Sequence, residues 1–133
     1  MSILVSGGFD PLHRGHVQLL YAAAKHGLVI VALNSDAWLI RKKGYAFMRF
    51  DERKSILSAL FPVYRVVPVD DADGTVCSAL RTLQPDCFAN GGDREYANAA
   101  EGDACRELGI RQLFGVGGGK VQSSSNLIER IRK

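Results

Sequence analysis

His13 and His16 stand three residues apart in the stretch VSGGFDPLHRGHVQLL, Val5 to Leu20. At the start of a helix that spacing puts two imidazoles on one face, pointing into the same space. Imidazole N–H groups beside a helix N-terminus, where free backbone N–H groups and the helix dipole attract anions, suit a phosphate on which negative charge develops. The residues ahead prepare the approach. Gly7 and Gly8 let the backbone turn sharply and come close to a ligand where a Cβ would intrude. Asp10 and Pro11 supply turn chemistry, and Gly15 leaves room against the helix terminus. A pair of capped or solvated histidines is the plainer reading, and it suits a lone histidine better than two behind Gly-Gly and Asp-Pro. A zinc site fails on its pattern, because the helical H-E-x-x-H is absent and no third ligand stands out.

Four other polar stretches could complete such a site. Lys42 and Lys43 precede Gly44, and a mobile lysine loop there could hold a phosphate as a point charge, the alternative being a solvated turn. Arg49 and Arg53 flank Phe50 and Asp51. Asp51 reads as the N-cap of the helix carrying Ile56 and Leu60, with Arg53 available to pair with it. In NGGD, Asn90 to Asp93, the aspartate could accept hydrogen bonds from ribose hydroxyls while the backbone of Gly91 and Gly92 lies against a base. A Gly-rich turn capped by Asp93 is equally open at this point. GVGGGK, Gly115 to Lys120, invites a P-loop reading that fails. The pattern needs Gly at 114 and Ser or Thr at 121, where the chain has Phe114 and Val121. Ser123, Ser124 and Ser125 then open the last helix. One serine suffices as N-cap, so three in a row leave hydroxyls and N–H groups for a triphosphate.

The elements that position these pieces follow from apolar patterning. ILVS, LVIVAL, YRVVPV, DCFAN and RQLFGV are short apolar runs bounded by Gly, Pro or Asp, and they read as strands. Helical stripes lie between them: Val17, Leu20, Tyr21 and Ala24; Ile56, Leu57, Leu60 and Phe61; Val76, Ala79, Leu80 and Leu83; and finally Leu127, Ile128 and Ile131. Strands apolar throughout and alternating with helices predict a Rossmann-like, doubly wound α/β fold. Its five-stranded parallel sheet carries helices on both faces, in a single domain over residues 1–133. Ligands of such sheets bind beyond the carboxyl ends of the strands. The loops after the first, second, fourth and fifth strands are therefore expected at one mouth.

Bulk properties narrow the class. Lys+Arg 17 against Asp+Glu 14 gives a net charge of +3, too little to argue for a nucleic-acid partner. The clusters RKK (Arg41 to Lys43) and RFDERK (Arg49 to Lys54) suit a small anionic ligand better. Cys77, Cys87 and Cys105 form no CxxC pair and sit in apolar contexts, as reduced core residues do. No basic leader opens the chain and no apolar run reaches about 18 residues. A cytoplasmic protein with no membrane contact is expected.

GGFDPLHRGH resembles the G-x-F-D-x-x-H-x-G-H signature of the cytidylyltransferase-like nucleotidyltransferases, and VQSSSNLI, Val121 to Ile128, looks like the family's second signature before its last helix. ALNSD with KKG, MRFDERKSIL and NGGDRE are similar, in order and spacing, to heptose-phosphate adenylyltransferases and glycerol-phosphate cytidylyltransferases. The resemblance spans nearly the whole chain. It implies a nucleotide site of Gly7, Gly8, Phe9, Asp10, His13, His16, Asn90, Gly91, Gly92, Asp93, Ser123, Ser124 and Ser125. His13, His16 and Lys43 would be the catalytic groups. Asp10, Lys43, Arg49 and, with less weight, Arg53 would serve the phosphorylated acceptor. Mg²⁺ held mainly by the nucleotide phosphates and a homodimer complete the expectation, with ATP favoured over CTP. Flavin- or pantetheine-related adenylyltransferases and a silent nucleotide sensor are the alternatives. Two departures stand out: AKHGLVIV is shorter than the usual passage, which leaves His26 on the surface, and serines stand where many members have threonines.

Overall fold

The computed structural model describes residues 1–91, 98–118 and 122–132. Five strands, β1 (Ser2–Gly7), β2 (Leu28–Leu33), β3 (Val63–Pro68), β4 (Cys87–Gly91) and β5 (Arg111–Val116), form one sheet in the order β3-β2-β1-β4-β5. Every pairing is parallel, with Gly7 opposite Leu33, Val5 opposite Ala89 and Gly91 opposite Val116. The helices are α1 (Arg14–Ala24), α2 (Asp36–Lys43), α3 (Phe50–Ala59), α4 (Cys77–Leu83), α5 (Ala99–Leu108) and α6 (Ser124–Arg132). The expected doubly wound α/β sheet is the one found.

Alternation along the central strands explains the two layers. Ile3 and Val5, Val29, Val31 and Leu33, and Cys87 and Ala89 face one side, under Leu20 and Ala23 of α1 and Leu57 of α3. Leu4, Ala32 and Phe88 face the other side, under Ala79 and Leu80 of α4 and Ala104 and Cys105 of α5. Each large apolar side chain so buried contributes about 1.5–3 kcal/mol. The three cysteines are buried free thiols, as expected of core residues.

Several details differ from the sequence expectation. The stripe of α1 is rotated by one residue: Leu20 and Ala23 are buried while Tyr21 is half exposed and Ala24 exposed. Both stripes share Leu20, and the one that forms keeps the tyrosine hydroxyl in water. It also turns His16 inward. In α3 only Leu57 of the expected stripe is buried; Ile56 and Phe61 are exposed, and Leu60 packs on the core from beyond the helix end. Asp51 is not the cap. The helix begins at Phe50 with Arg49 in the N-cap position, and Asp51 lies in the first turn, where its charge still favours the dipole. Lys42 and Lys43 are not in a mobile loop but form the last turn of α2, which Gly44 ends in the left-handed region. Helix α5 carried no expected stripe, because it buries Glu101 with the small residues Gly102, Ala104 and Cys105 rather than large apolar side chains.

The strand order reverses between β1 and β4, the central pair. A cleft of about 420 Å³ opens at their carboxyl ends.

Candidate active site

The turn after β1 builds one wall of this cleft. Gly7 and Gly8 avoid the left-handed region, which falls to Phe9 at φ 51°. The glycines are needed for closeness instead: a Cβ on Gly8 would lie 2.8 Å from Leu39, and one on Gly7 3.1 Å from the Phe9 ring. Phe9 is buried, and its ring centre lies 4.8 Å from that of His16. His13 is the N-cap of α1. Its Nδ1 accepts from the Gly15 N–H at 3.1 Å, while the His13 N–H donates to His16 Nδ1 at 3.2 Å, a capping box made of two imidazoles. The rings stack with centres 3.9 Å apart.

This geometry sets the chemistry. With each Nδ1 accepting from a backbone N–H, each neutral ring carries its proton on Nε2. The Gly15 N–H, one of the backbone donors at this helix terminus, is taken up by the cap. The ring relays it, so the donors offered by this helix start are imidazole N–H groups polarised from behind. His16 stays neutral: burial, then the nearby His13 and then the Lys43 ammonium push its pKa down to about 3. A neutral donor of this kind stabilises charge that develops on a phosphate without first binding a proton.

Asp10 and Arg53 do different work from that expected of them. Asp10 is buried, and its two oxygens accept from Phe47 N–H at 2.7 Å and Met48 N–H at 2.6 Å. It ties the α2–α3 connection to the turn and presents no oxygen-rich face to a ligand. Arg53 is wholly buried. It donates to the carbonyls of Met48, Gly8 and Asn34 and pairs with Asp36 at 2.6 Å, not with Asp51. A guanidinium so consumed holds three segments together and cannot reach an acceptor. Arg49 is exposed and makes no capping bond.

On α2, Lys42 borders the cleft with Nζ 4.7 Å over the Trp38 ring, and Lys43 acts electrostatically on His16. Asn90 lies on the floor and donates to the Leu113 carbonyl at 3.4 Å. Gly91 ends β4, whereas Gly92 and Asp93 lie outside the described residues.

Of the loop after β5, Gly117 accepts from Gln18 through its carbonyl and lies against Leu19, a residue of the cleft lining, while residues 119–121 lie outside the described residues. Ser123 caps α6 through the Asn126 N–H, Ser124 donates to the Pro11 carbonyl at 2.8 Å, and Ser125 is exposed.

The loop after β3, not among the loops expected there, also enters the cleft, bringing Gly74 and Val76. Its Asp71 accepts from Asn34 Nδ2, the Ser35 N–H and the Ser35 hydroxyl, which binds this loop to the one after β2. Burial opposes the charge on Asp71, yet these hydrogen bonds hold its carboxyl below the usual range. Glu101 of α5, itself buried, faces the same wall and accepts from the Val76 N–H at 3.2 Å. Trp38, Asp71 and Glu101 escaped the sequence reading. The Asp- and Gly-rich DDADG after β3 and the lone tryptophan beside the lysines were the available signals.

No three His, Cys, Asp or Glu side chains converge on a possible metal position among the described residues. Asp10 is spent on backbone N–H groups, so these residues form no cation site of their own.

A Gly-Gly turn, a stacked imidazole pair and a cleft at the β1/β4 reversal meet in this part of the molecule. The chain belongs to the cytidylyltransferase-like family, whose profile matches residues 4–116. It is 36% identical over 133 residues to the bifunctional protein HldE of Syntrophotalea carbinolica, covering 97% of this chain and 26% of that protein. It is 37% identical over 134 residues to HldE of Geotalea uraniireducens, covering 98% and 26%. The chain thus spans about a quarter of the length of these curated relatives. A lipopolysaccharide core biosynthesis protein from Thermoplasma volcanium shares the fold, with a TM-score of 0.71, 24% identity, and coverage of 86% of this chain and 93% of that one.

Proposed function

We propose that this chain transfers a nucleoside monophosphate from a nucleoside triphosphate, ATP before CTP, to a phosphorylated small molecule such as a sugar- or polyol-phosphate. An acceptor phosphate oxygen attacks the α-phosphorus in line. A new P–O bond forms as the bond to the β-phosphate bridging oxygen breaks, and pyrophosphate leaves with the electron pair. The acceptor is already ionised at neutral pH and needs no general base, so the protein contributes positioning and charge stabilisation. The nucleotide enters as its Mg²⁺ complex, the metal carried by the phosphates. Asn90, Gly91, Gly92 and Asp93 are assigned to the nucleoside, Ser125 to the triphosphate, and Lys43 and Arg49 to the acceptor. A cytoplasmic homodimer is part of this reading.

The observation that carries it is the stacked imidazole pair at the mouth, with each Nδ1 capped by a backbone N–H. A thermal-shift screen of the four ribonucleoside triphosphates with Mg²⁺ names the base, since a bound ligand stabilises by mass action. Pyrophosphate release with a panel of sugar phosphates then names the acceptor class. Binding of no triphosphate overturns the reading.

A further inference from the structure

We propose that Asn34 determines acceptor specificity: its side-chain oxygen takes a hydrogen bond from a hydroxyl on the carbon body of the phosphorylated substrate. This rests on the transferase reading above. It adds the group that tells a hydroxylated phosphate from one without hydroxyls.

Asn34 directly follows β2 and lines the cleft, yet it is only 3% exposed. Its backbone is fully engaged, with the N–H donating to the Gly7 carbonyl at 3.0 Å and the carbonyl accepting from Arg53. Its side chain is engaged on one side alone. Nδ2 donates to Asp71 Oδ2 at 3.1 Å. Although burial opposes its charge, hydrogen bonds from Ser35 and Asn34 hold the Asp71 carboxyl below its usual range. The carboxylate is therefore ionised at neutral pH and only accepts. The Asn34 amide must show it the NH₂ group, which turns Oδ1 the other way. No described residue donates to that oxygen. Among the described residues the one partnerless side-chain atom sealed from solvent is Gln112 Oε1, so Asn34 Oδ1 is open to the cleft that the residue lines.

An oxygen held in this way calls for a donor. A ligand that fills this part of the cleft without one leaves the oxygen unpaired, and sites built so reject such analogues strongly. Sheet order indicates which substrate meets it. Asn34 and the loop after β3 lie on the β2–β3 side of β1, whereas the nucleoside is assigned to the end of β4, on the opposite side. Lys42 and Trp38 border the cleft with Asn34, and an ammonium there draws the acceptor's phosphate. An amide oxygen accepts a hydroxyl proton but offers nothing to a carboxylate or a second phosphate.

Asn34→Ala removes Oδ1 and leaves both Asp71 oxygens partnered by Ser35, so the fold should survive. Calorimetry on protein saturated with the α,β-methylene analogue of its preferred triphosphate, which cannot release pyrophosphate, reads acceptor binding alone. Two pairs serve as probes: glycerol 3-phosphate with propyl phosphate, and mannose 1-phosphate with cyclohexyl phosphate. In at least one pair the hydroxylated member should bind about tenfold more tightly or better. Asn34→Ala, shown folded by circular dichroism, should bring that preference to under about threefold by weakening the hydroxylated member alone. Its affinity for the triphosphate analogue should stay unchanged. No preference in the wild-type protein overturns the assignment, and that arm needs no variant. A preference left intact in folded Asn34→Ala overturns it too. So does an equal loss for both members of the pair, as a merely structural contact would give, or a loss of triphosphate affinity, which would place Asn34 on the nucleotide. Binding of no triphosphate by the wild-type protein strikes the transferase reading, and this assignment with it.

Discussion

His16 closes the helix cap through Nδ1 and lines the cleft, where the proposed function gives it the role of a donor, and its mutants should separate the two. His16→Ala should keep its circular dichroism spectrum, losing only about 1 kcal/mol for one unmade hydrogen bond. Turnover should fall roughly 10²–10³-fold, as when one transition-state donor is removed. Near-wild-type turnover in the folded mutant would remove His16 from the phosphate chemistry. Its depressed pKa makes a second prediction. The folded state holds His16 neutral down to about pH 3, whereas the unfolded chain takes up a proton below about pH 6.5. Its contribution to stability is therefore complete above pH 6.5 and lost as the pH falls toward 3, by at most about 1.4 kcal/mol per pH unit. Melts at pH 7, 5.5 and 4 should show wild type losing more on acidification than His16→Gln, and equal losses would contradict the burial. The histidines were legible in the sequence because pairing, spacing and the glycines ahead of them all agreed. Asp10 and Arg53 were legible as special but not in role, since ligand-binding and wholly buried polar residues look alike until their partners are seen.

The α2–α3 connection is held at both ends by buried charge. Arg53→Met removes a guanidinium that satisfies Asp36 and the carbonyls of Gly8, Asn34 and Met48. Asp36 is partly exposed and can turn to water, so the cost falls mainly on the three carbonyls, at about 1–3 kcal/mol for each left buried and unsatisfied; the urea midpoint should drop steeply, and a shift under about 1 kcal/mol would mean those groups find water. The last helix divides its serines by task. Ser124→Ala should quicken amide exchange in α6 by releasing it from Pro11, while Ser125→Ala should weaken triphosphate binding and leave monophosphate binding nearly intact. Calorimetry with both ligands checks this, and equal losses would move Ser125 out of the phosphate site. At this scale the strands read well, β2 best of all, because LVIVAL is an uninterrupted apolar run with clear boundaries. Helix α5 did not, since the face it buries is made of Glu101 and small residues rather than large apolar side chains. The loop after β3 was overlooked because Asp and Gly also compose ordinary turns.

As a whole molecule, the sheet leaves β3 as an edge, with Tyr64 on it 64% exposed and Phe61, just before it, 91% exposed. An apolar edge is an unguarded pairing surface, and it is where the proposed homodimer should close. Sedimentation should give a dimer that Phe61→Asp with Tyr64→Asp converts to monomer; a persistent dimer would place the contact elsewhere. The order of the strands also bears on synthesis. All four groups gripped by Arg53 lie at or before residue 48, and β1 and β2 pair within the first 33 residues, so the histidine turn can be set while later chain is still being made. The floor of the cleft cannot, because β1 must wait for β4, which starts at Cys87. A nascent chain halted between these points should carry an assembled first wall and no nucleotide affinity. The capacity to bind would then arrive in one step, late in translation, when β4 slots in beside β1.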